Sequence, residues 1–254
     1  MIRVNRGDPP PDFAIRRANW ETGLQQARVG DPKITASKYW NRVRPEIRND
    51  AEVLAARLHR KCAFCESKMS HVMSPQIEHF RPKSNAAYEG RMFDWSNWLL
   101  SCGVCNTKKG RFFDGGNEDL RIIDPASEPP SDHIGFVGSI PLGLSSRGTE
   151  TIKRLRLRRE ALNSYRTAWL AVVGVLLLAA LDGSLATRTA ARRYLIWSMQ
   201  DEAPFAAMVR EFIGEMAPAF AKPAVPHPHI AGEGLVEDIL RLVKRREPDI
   251  AQLS

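Results

Sequence analysis

Apolar positions along the chain follow two periods, and the switch between them divides it. From about Ile15 to Arg28 and again from about Lys38 to Leu58 they return every three to four residues, with Leu54, Ala55 and Leu58 on one face, which predicts helices. The preceding residues 1–13 contain Pro9-Pro10-Pro11 and read as an extended arm. Across residues 60–111 the helical period lapses. Pro75-Gln76-Ile77-Glu78-His79 alternates and Trp98-Leu99-Leu100 is a short apolar run, so the two predict a pair of strands; a helix should open at Cys102-Gly103-Val104-Cys105. Residues 112–140 are rich in Gly, Pro, Asp and Ser, with apolar steps only at Arg121–Pro125 and Ile134–Val137, enough for one or two short strands.

Helical spacing resumes from Thr149 to about Leu181, where Leu155, Leu162, Tyr165 and Trp169 are assigned to one face. It continues over Arg188 to Met199 and Ala203 to Met216, with Pro204 suited to a first turn. Lys222 to Gly234 reads as a Pro-containing linker and Leu235 to Arg246 as a last amphipathic piece. The expected fold class is α+β and mainly helical: an arm and helices over residues 1–59, a cysteine module over 60–125 and a helical region over 126–254. The apolar run Ala168 to Leu181 is 14 residues long. A bilayer needs about 20, so the run is expected to be a buried core helix and no membrane partner is expected.

Charge and cysteine usage sharpen this outline. The net charge of +8 favours a polyanionic partner, and the excess is greatest in residues 1–60, with 12 Lys/Arg against 7 Asp/Glu. No apolar leader follows the basic N-terminus, so a reducing cytoplasm is the expected location. All four cysteines fall in two Cys-x-x-Cys pairs, Cys62/Cys65 and Cys102/Cys105, separated by 36 residues. Four thiolates are what a tetrahedral structural zinc site requires, and such a site keeps no open position for chemistry. Two redox pairs or four buried thiols are the plainer alternatives. A zinc site would hold together a segment too short to bury a core of its own.

The fold-back between the pairs should then carry the chemistry. Alternation along one strand puts Glu78 and His79 on opposite faces at its end, beside the helix bearing Asn106, Lys108 and Lys109. A neutral imidazole near working pH suits removal of a proton from water. A carboxylate and an amide oxygen suit a hard cation such as Mg²⁺ or Mn²⁺, a different kind of metal from the one cysteine selects. Arg81 and Lys83, two and four residues past His79, and Lys108 and Lys109 beside the site, are candidate contacts to nucleic-acid phosphates. Each side chain also has an ordinary structural role open to it: Asn97 as a turn former, the lysines as solvated charges. Lys153, Arg154, Arg156, Arg158 and Arg159 form a second basic run, equally readable as a solvated helix face. No base-reading motif stands out.

Cys-x-x-Cys, Glu78-His79, Asn97 and Cys-x-x-Cys-Asn-x-Lys-Lys together resemble the HNH nucleases and their zinc-bound ββα-metal fold. By that resemblance His79 is the general base, Glu78 and Asn106 are ligands of the catalytic cation, and Asn97 braces the loop that orients His79. Glu78 departs from the more usual Asp by one methylene. A narrower resemblance spans roughly residues 1–165. It rests on the opening Met-Ile-Arg-Val-x-Arg-Gly-x-Pro-Pro, Lys61-Cys-Ala-Phe-Cys-Glu66, Ile77-Glu-His-Phe-Arg-Pro-Lys83, Trp98-Leu-Leu-Ser-Cys-Gly-Val-Cys-Asn106, Ile122-Ile-Asp-Pro125 and Thr151-Ile-Lys-Arg-Leu155. These are similar to the PtuB-type HNH proteins of Septu and retron-associated bacterial defence. That family implies an effector nuclease acting on DNA or RNA with a PtuA-type ABC ATPase, and this chain shows no phosphate-binding Gly-rich loop of its own. A non-catalytic zinc module that binds nucleic acid or protein, and a stand-alone restriction-like nuclease, are the competing readings.

Overall fold

Pro45 breaks the helical pattern read over residues 38–58 into two. In the computed structural model, which describes residues 1–69, 76–182 and 184–221, α1 (Phe13–Gly30) is followed by α2 (Ala36–Val43) and α3 (Arg48–Arg57). Proline lacks the amide hydrogen and its ring obstructs the turn before it, so one helix cannot run through. Thr35 caps α2, its hydroxyl accepting from the Lys38 amide. The helix buries Ala36, Tyr39, Trp40 and Val43, a stripe at helical spacing.

The chain divides into two units, Val4–Glu128 and Met1–Arg3 with the residues from Pro129 onward. In the first, β1 (Ile77–His79) and β2 (Trp98–Leu100) pair antiparallel, His79 opposite Trp98 and Glu78 opposite Leu99, and α4 (Gly103–Lys109) follows directly. Two three-residue strands cannot stabilise themselves. Aromatic packing supplies what they lack: Trp98 meets Phe13 of α1 at 5.3 Å and Trp40 of α2 at 5.6 Å between ring centroids, both edge-on. Rings in that arrangement add about 0.5–1.5 kcal/mol beyond the area they bury.

The extended arm is stitched to the same strands. Arg6, buried, donates to the Trp98 carbonyl at 2.7 Å and to both oxygens of Asp124 at 3.0 and 3.1 Å, while the Val4 amide reaches the Pro125 carbonyl at 2.8 Å. Arg121–Pro125, read as an apolar step long enough for a short strand, is irregular chain instead. The Asp124 carboxylate organises it, also accepting from Ser127 Oγ at 2.7 Å and the Ala126 amide at 3.0 Å.

The second unit opens with a hairpin of β3 (Ile134–Val137) and β4 (Ile140–Gly143), turned at Gly138, whose φ of 53° suits the turns that match strand twist. Then come α5 (Ser146–Arg154), α6 (Glu160–Asp182), α7 (Leu185–Ser198) and α8 (Ala206–Ala221). The continuous helix expected over 149–181 is thus broken at residues 155–159. Pro204 lies just before α8 instead of in its first turn.

The expectation of a buried core helix over Ala168 to Leu181 is half met. Leu170, Val173, Leu177 and Ala180 are buried, but Val172, Val175 and Leu178 are 48%, 65% and 66% exposed, and Tyr165, assigned to the inner face, is 73% exposed. When a helix is apolar all round, its sequence names no inner face. Residues 160–181 are also long and apolar enough to cross a membrane. Arg166 on the packed face is buried against the rings of Phe136 and Phe205, at 5.3 and 5.8 Å from their centroids, which is protein packing. The linker and last helix read over Lys222 to Arg246 lie outside the described residues.

Candidate active site

The two cysteine pairs converge. The four sulfurs of Cys62, Cys65, Cys102 and Cys105 lie within 4.8 Å of one another, none in a disulfide, and Cys65 and Cys102 are 3.9 Å apart. Sulfurs bonded at about 2.3 Å to one tetrahedral metal stand about 3.8 Å apart, so the cluster fits a metal ion. Local structure shapes each pair. After Cys62 the chain turns back, the Glu66 amide donating to the Cys62 carbonyl at 2.9 Å, with Glu66 itself at a φ of 63°. The Ala63 amide joins the turn to β2 through Leu100 O at 2.9 Å. Cys102 is the N-cap of α4, its sulfur accepting from the Cys105 amide at 3.4 Å. Crowding splits the thiols. Burial pushes Cys62 up and neighbouring thiols push Cys105 up, whereas hydrogen bonds from the other cysteines pull Cys65 well down and Cys102 to about 7. Adjacent sulfurs cannot all ionise unless a cation joins them.

On β1, Glu78 and His79 point to opposite sides and into different surroundings. His79 is 3% exposed. Its Nε2 lies 2.9 Å from the Met92 carbonyl, which also accepts from Trp98 Nε1 at 2.8 Å, and Trp40 stands edge-on to the ring at 4.4 Å. A carbonyl oxygen only accepts, so Nε2 carries the proton and Nδ1 of the neutral ring holds the lone pair. Burial, helped by the Lys83 ammonium, holds the imidazole well below its ordinary value, which keeps it neutral.

Glu78 is buried against Lys109. The ammonium lies 2.6 Å from Glu78 Oε1 and donates to the His79 carbonyl at 2.9 Å, with the lysine side chain wholly enclosed. Burial raises the Glu78 carboxyl despite that cation. Asn106 sits one turn before Lys109, on the same face of α4, and is half-buried.

Asn97 is 1% exposed and uses its whole amide. Its Oδ1 accepts from the Arg81 amide at 2.7 Å; its Nδ2 donates to the Arg81 and Arg91 carbonyls, both at 3.0 Å; and its own carbonyl accepts from the Phe80 amide at 2.9 Å. The segment leaving His79 is thereby tied to the loop before β2.

The four cations read as phosphate contacts divide. Lys108 is exposed. Arg81 lies over the Phe113 ring at 5.1 Å and Lys83 over Trp40 at 5.7 Å, with burial pulling the Lys83 ammonium down. Lys109 does not reach the surface, and the pair with Glu78 takes the place of its expected phosphate partner. The sequence held the signal: Lys109 is four residues past buried Cys105 and shares its inward face, whereas Lys108 falls outside it. Trp40 and the Met92 carbonyl frame His79 although no local pattern in the sequence marks either. Arg6 and Asp124 entered only through the motifs that resemble PtuB proteins, and the structure pairs those motifs directly.

The HNH endonuclease family profile matches residues 62–112. The Septu protein PtuB of Bacillus thuringiensis is 33% identical over 102 residues, covering 40% of this chain and 38% of that protein. The Septu protein PtuB of Bacillus mycoides (strain KBAB4) is 31% identical over 134 residues, 42% of this chain and 45% of that one. A protein of retron Vc95 from Vibrio cholerae serotype O1 biovar El Tor, named as a candidate HNH endonuclease, is 30% identical over 106 residues, 38% of this chain and 50% of its own length. The chain thus spans half or less of the curated relatives it matches. Residues 62–112 are an HNH endonuclease domain, and the chain is similar to PtuB-type proteins.

Proposed function

We propose that the Val4–Glu128 unit is a metal-dependent HNH nuclease of the ββα-metal type, hydrolysing phosphodiester bonds of DNA or RNA as the effector of an anti-phage defence complex with a PtuA-type ABC ATPase. The observation that carries the reading is the His79 hydrogen bond to the Met92 carbonyl. It holds the ring in the tautomer whose Nδ1 accepts a proton, and burial keeps that nitrogen unprotonated at neutral pH.

In this reading His79 Nδ1 removes a proton from water as its oxygen bonds to phosphorus, and the electron pair of the broken P–O bond stays on the leaving oxygen. Asn97 ties the segment leaving His79 to the loop before β2, so the ring needs little rearrangement to act. Glu78 and Asn106 would hold Mg²⁺ or Mn²⁺, with waters and the substrate phosphate completing the shell. The bound cation supplies compensation for negative charge developing at the phosphoryl group. Their oxygen donors suit such an ion, and Lys109 occupies one Glu78 oxygen, so the carboxylate would offer the other. The four cysteines would hold Zn²⁺ as a purely structural ion. Arg81, Lys83 and Lys108 supply positive charge for the nucleic-acid backbone.

The test uses the full chain, alone and with the ATPase partner, on DNA and RNA with Mg²⁺, Mn²⁺ or chelator. Cleavage should require the divalent ion and fall by about 10²–10⁴-fold in His79→Ala, the usual contribution of a positioned base, with zinc content and helicity unchanged. Cleavage in none of these conditions, or cleavage that survives His79→Ala, refutes the proposal. The enclosure of His79 and the Glu78–Lys109 pair favour one other reading, a zinc module that binds without cutting. That reading requires nucleic-acid or protein binding unaltered in Glu78→Ala and no cleavage by the parent chain.

A further inference from the structure

A concavity of about 410 Å³ lies within the unit that runs from Pro129 onward, lined by Lys153, Arg156, Arg158 and Arg159 beside Thr149 and Ile152. No carboxylate is among its described lining residues. In sequence these cations read equally well as a solvated helix face. The structure gathers them because α5 stops at Arg154 and the chain turns before α6 begins at Glu160.

The stop is a left-handed cap. Arg156 has a φ of 47°, and the Leu157 amide closes back on the Ile152 carbonyl at 2.9 Å, with Leu157 buried beneath. Glycine meets this conformation without strain, whereas a residue with a Cβ gives up about 1–2 kcal/mol there. A rigid base supports the turn: buried Arg166 donates to the Leu157 carbonyl at 2.8 Å, and Arg158 Nε donates to the Pro141 carbonyl at 2.9 Å. That bond uses one of the five N–H donors of the Arg158 guanidinium. Glu150 offsets the cluster weakly, lying 3.8 Å from Lys153 and closer to Arg154.

We infer that this basic concavity is a second nucleic-acid site, which holds the sugar-phosphate backbone through its guanidinium and ammonium groups. Guanidinium forks match phosphate oxygens in pairs, and four cations spread across one depression match several phosphates in succession better than a single anion. No aromatic ring lines the depression among the described residues, so bases are not stacked and recognition is independent of sequence. The site is built from this unit alone and binds whether or not the HNH unit cleaves.

The experiment measures binding of a labelled duplex and a labelled single strand to the full chain carrying His79→Ala, so that no cleavage intervenes, over a range of salt. Into that background go Arg156→Gly, and Arg156→Gly with Lys153→Ala. Glycine suits the cap, so thermal stability should hold or rise while affinity falls severalfold. The slope of log affinity against log salt should shrink by about one for each phosphate no longer neutralised. Affinity and slope equal to those of the parent in the double variant would overturn the site. Competition by ATP and by pyrophosphate separates the phosphate sources: weak, salt-like competition agrees with a backbone site, and displacement at micromolar ATP that Arg156→Gly abolishes would replace it with a nucleotide site. Cleavage by the chain with His79 intact reports on the HNH reading separately.

Discussion

Lys109 shows how one side chain can be misjudged by its type and placed by its position. Beside a candidate nuclease site a lysine invites a bond to the nucleic-acid backbone, yet its spacing from Cys105 turns it inward to meet Glu78 and the His79 carbonyl. A buried carboxylate that loses its cation keeps its desolvation cost without compensation. Lys109→Met should therefore destabilise the Val4–Glu128 unit by about 3–5 kcal/mol, read by denaturant unfolding, and adding Glu78→Gln should restore much of that loss. If the single variant is as stable as the parent, Lys109 is a spectator. At this scale the sequence was legible wherever chemistry is local: the cysteine pairs, Glu78-His79 and Asn97 all stand out by spacing and residue type. Trp40, which packs against His79 from 39 positions away in the chain, carried no local sign.

Among the elements, β1 and β2 were legible because alternation and an apolar run survive even in three residues, and α4 because its cap is itself a cysteine. Helix ends were less so. Pro45 ended α2 where the apolar period ran on, and the cap at Arg156 ended α5 although its sequence lacks the glycine that usually announces one. Such short elements, already braced by aromatic packing, are expected to need the metal-sized sulfur cluster beside them as well. Stripping the metal proposed for the four cysteines with a chelator, or Cys105→Ser, should abolish the fixed environment of Trp40, Trp95 and Trp98, seen as loss of near-ultraviolet dichroism, while α6 and α7 keep their far-ultraviolet signal. A near-ultraviolet spectrum unchanged after complete removal of that metal would show the aromatic core to be self-sufficient.

In the whole molecule, the divisions read from composition and those drawn by packing differ. The N-terminal helices and the cysteine module, separate segments on paper, share one core, because Trp40 and Phe13 supply the apolar packing that two short strands lack. The outer stripe of α6 is the reverse case, an apolar surface left exposed. Val175→Asp with Leu178→Asp should change stability by no more than about 0.5 kcal/mol each, as for other surface positions, and should lower any self-association seen by sedimentation. A large drop in the unfolding midpoint would mean that these residues are covered within the folded chain.

By itself the sequence determined the chemistry and its order along the chain: four sulfurs in two turns, an imidazole beside a carboxylate, two amides, and helices flanking them, because ligand spacing and hydrophobic period are properties of neighbours. Only the tertiary structure decided which nitrogen of His79 holds the lone pair, which face of α6 packs, and that the cations at the end of α5 surround a hollow. Each of those is fixed by a partner far away in the chain, and separation in sequence erases the pattern by which such a partner could be read.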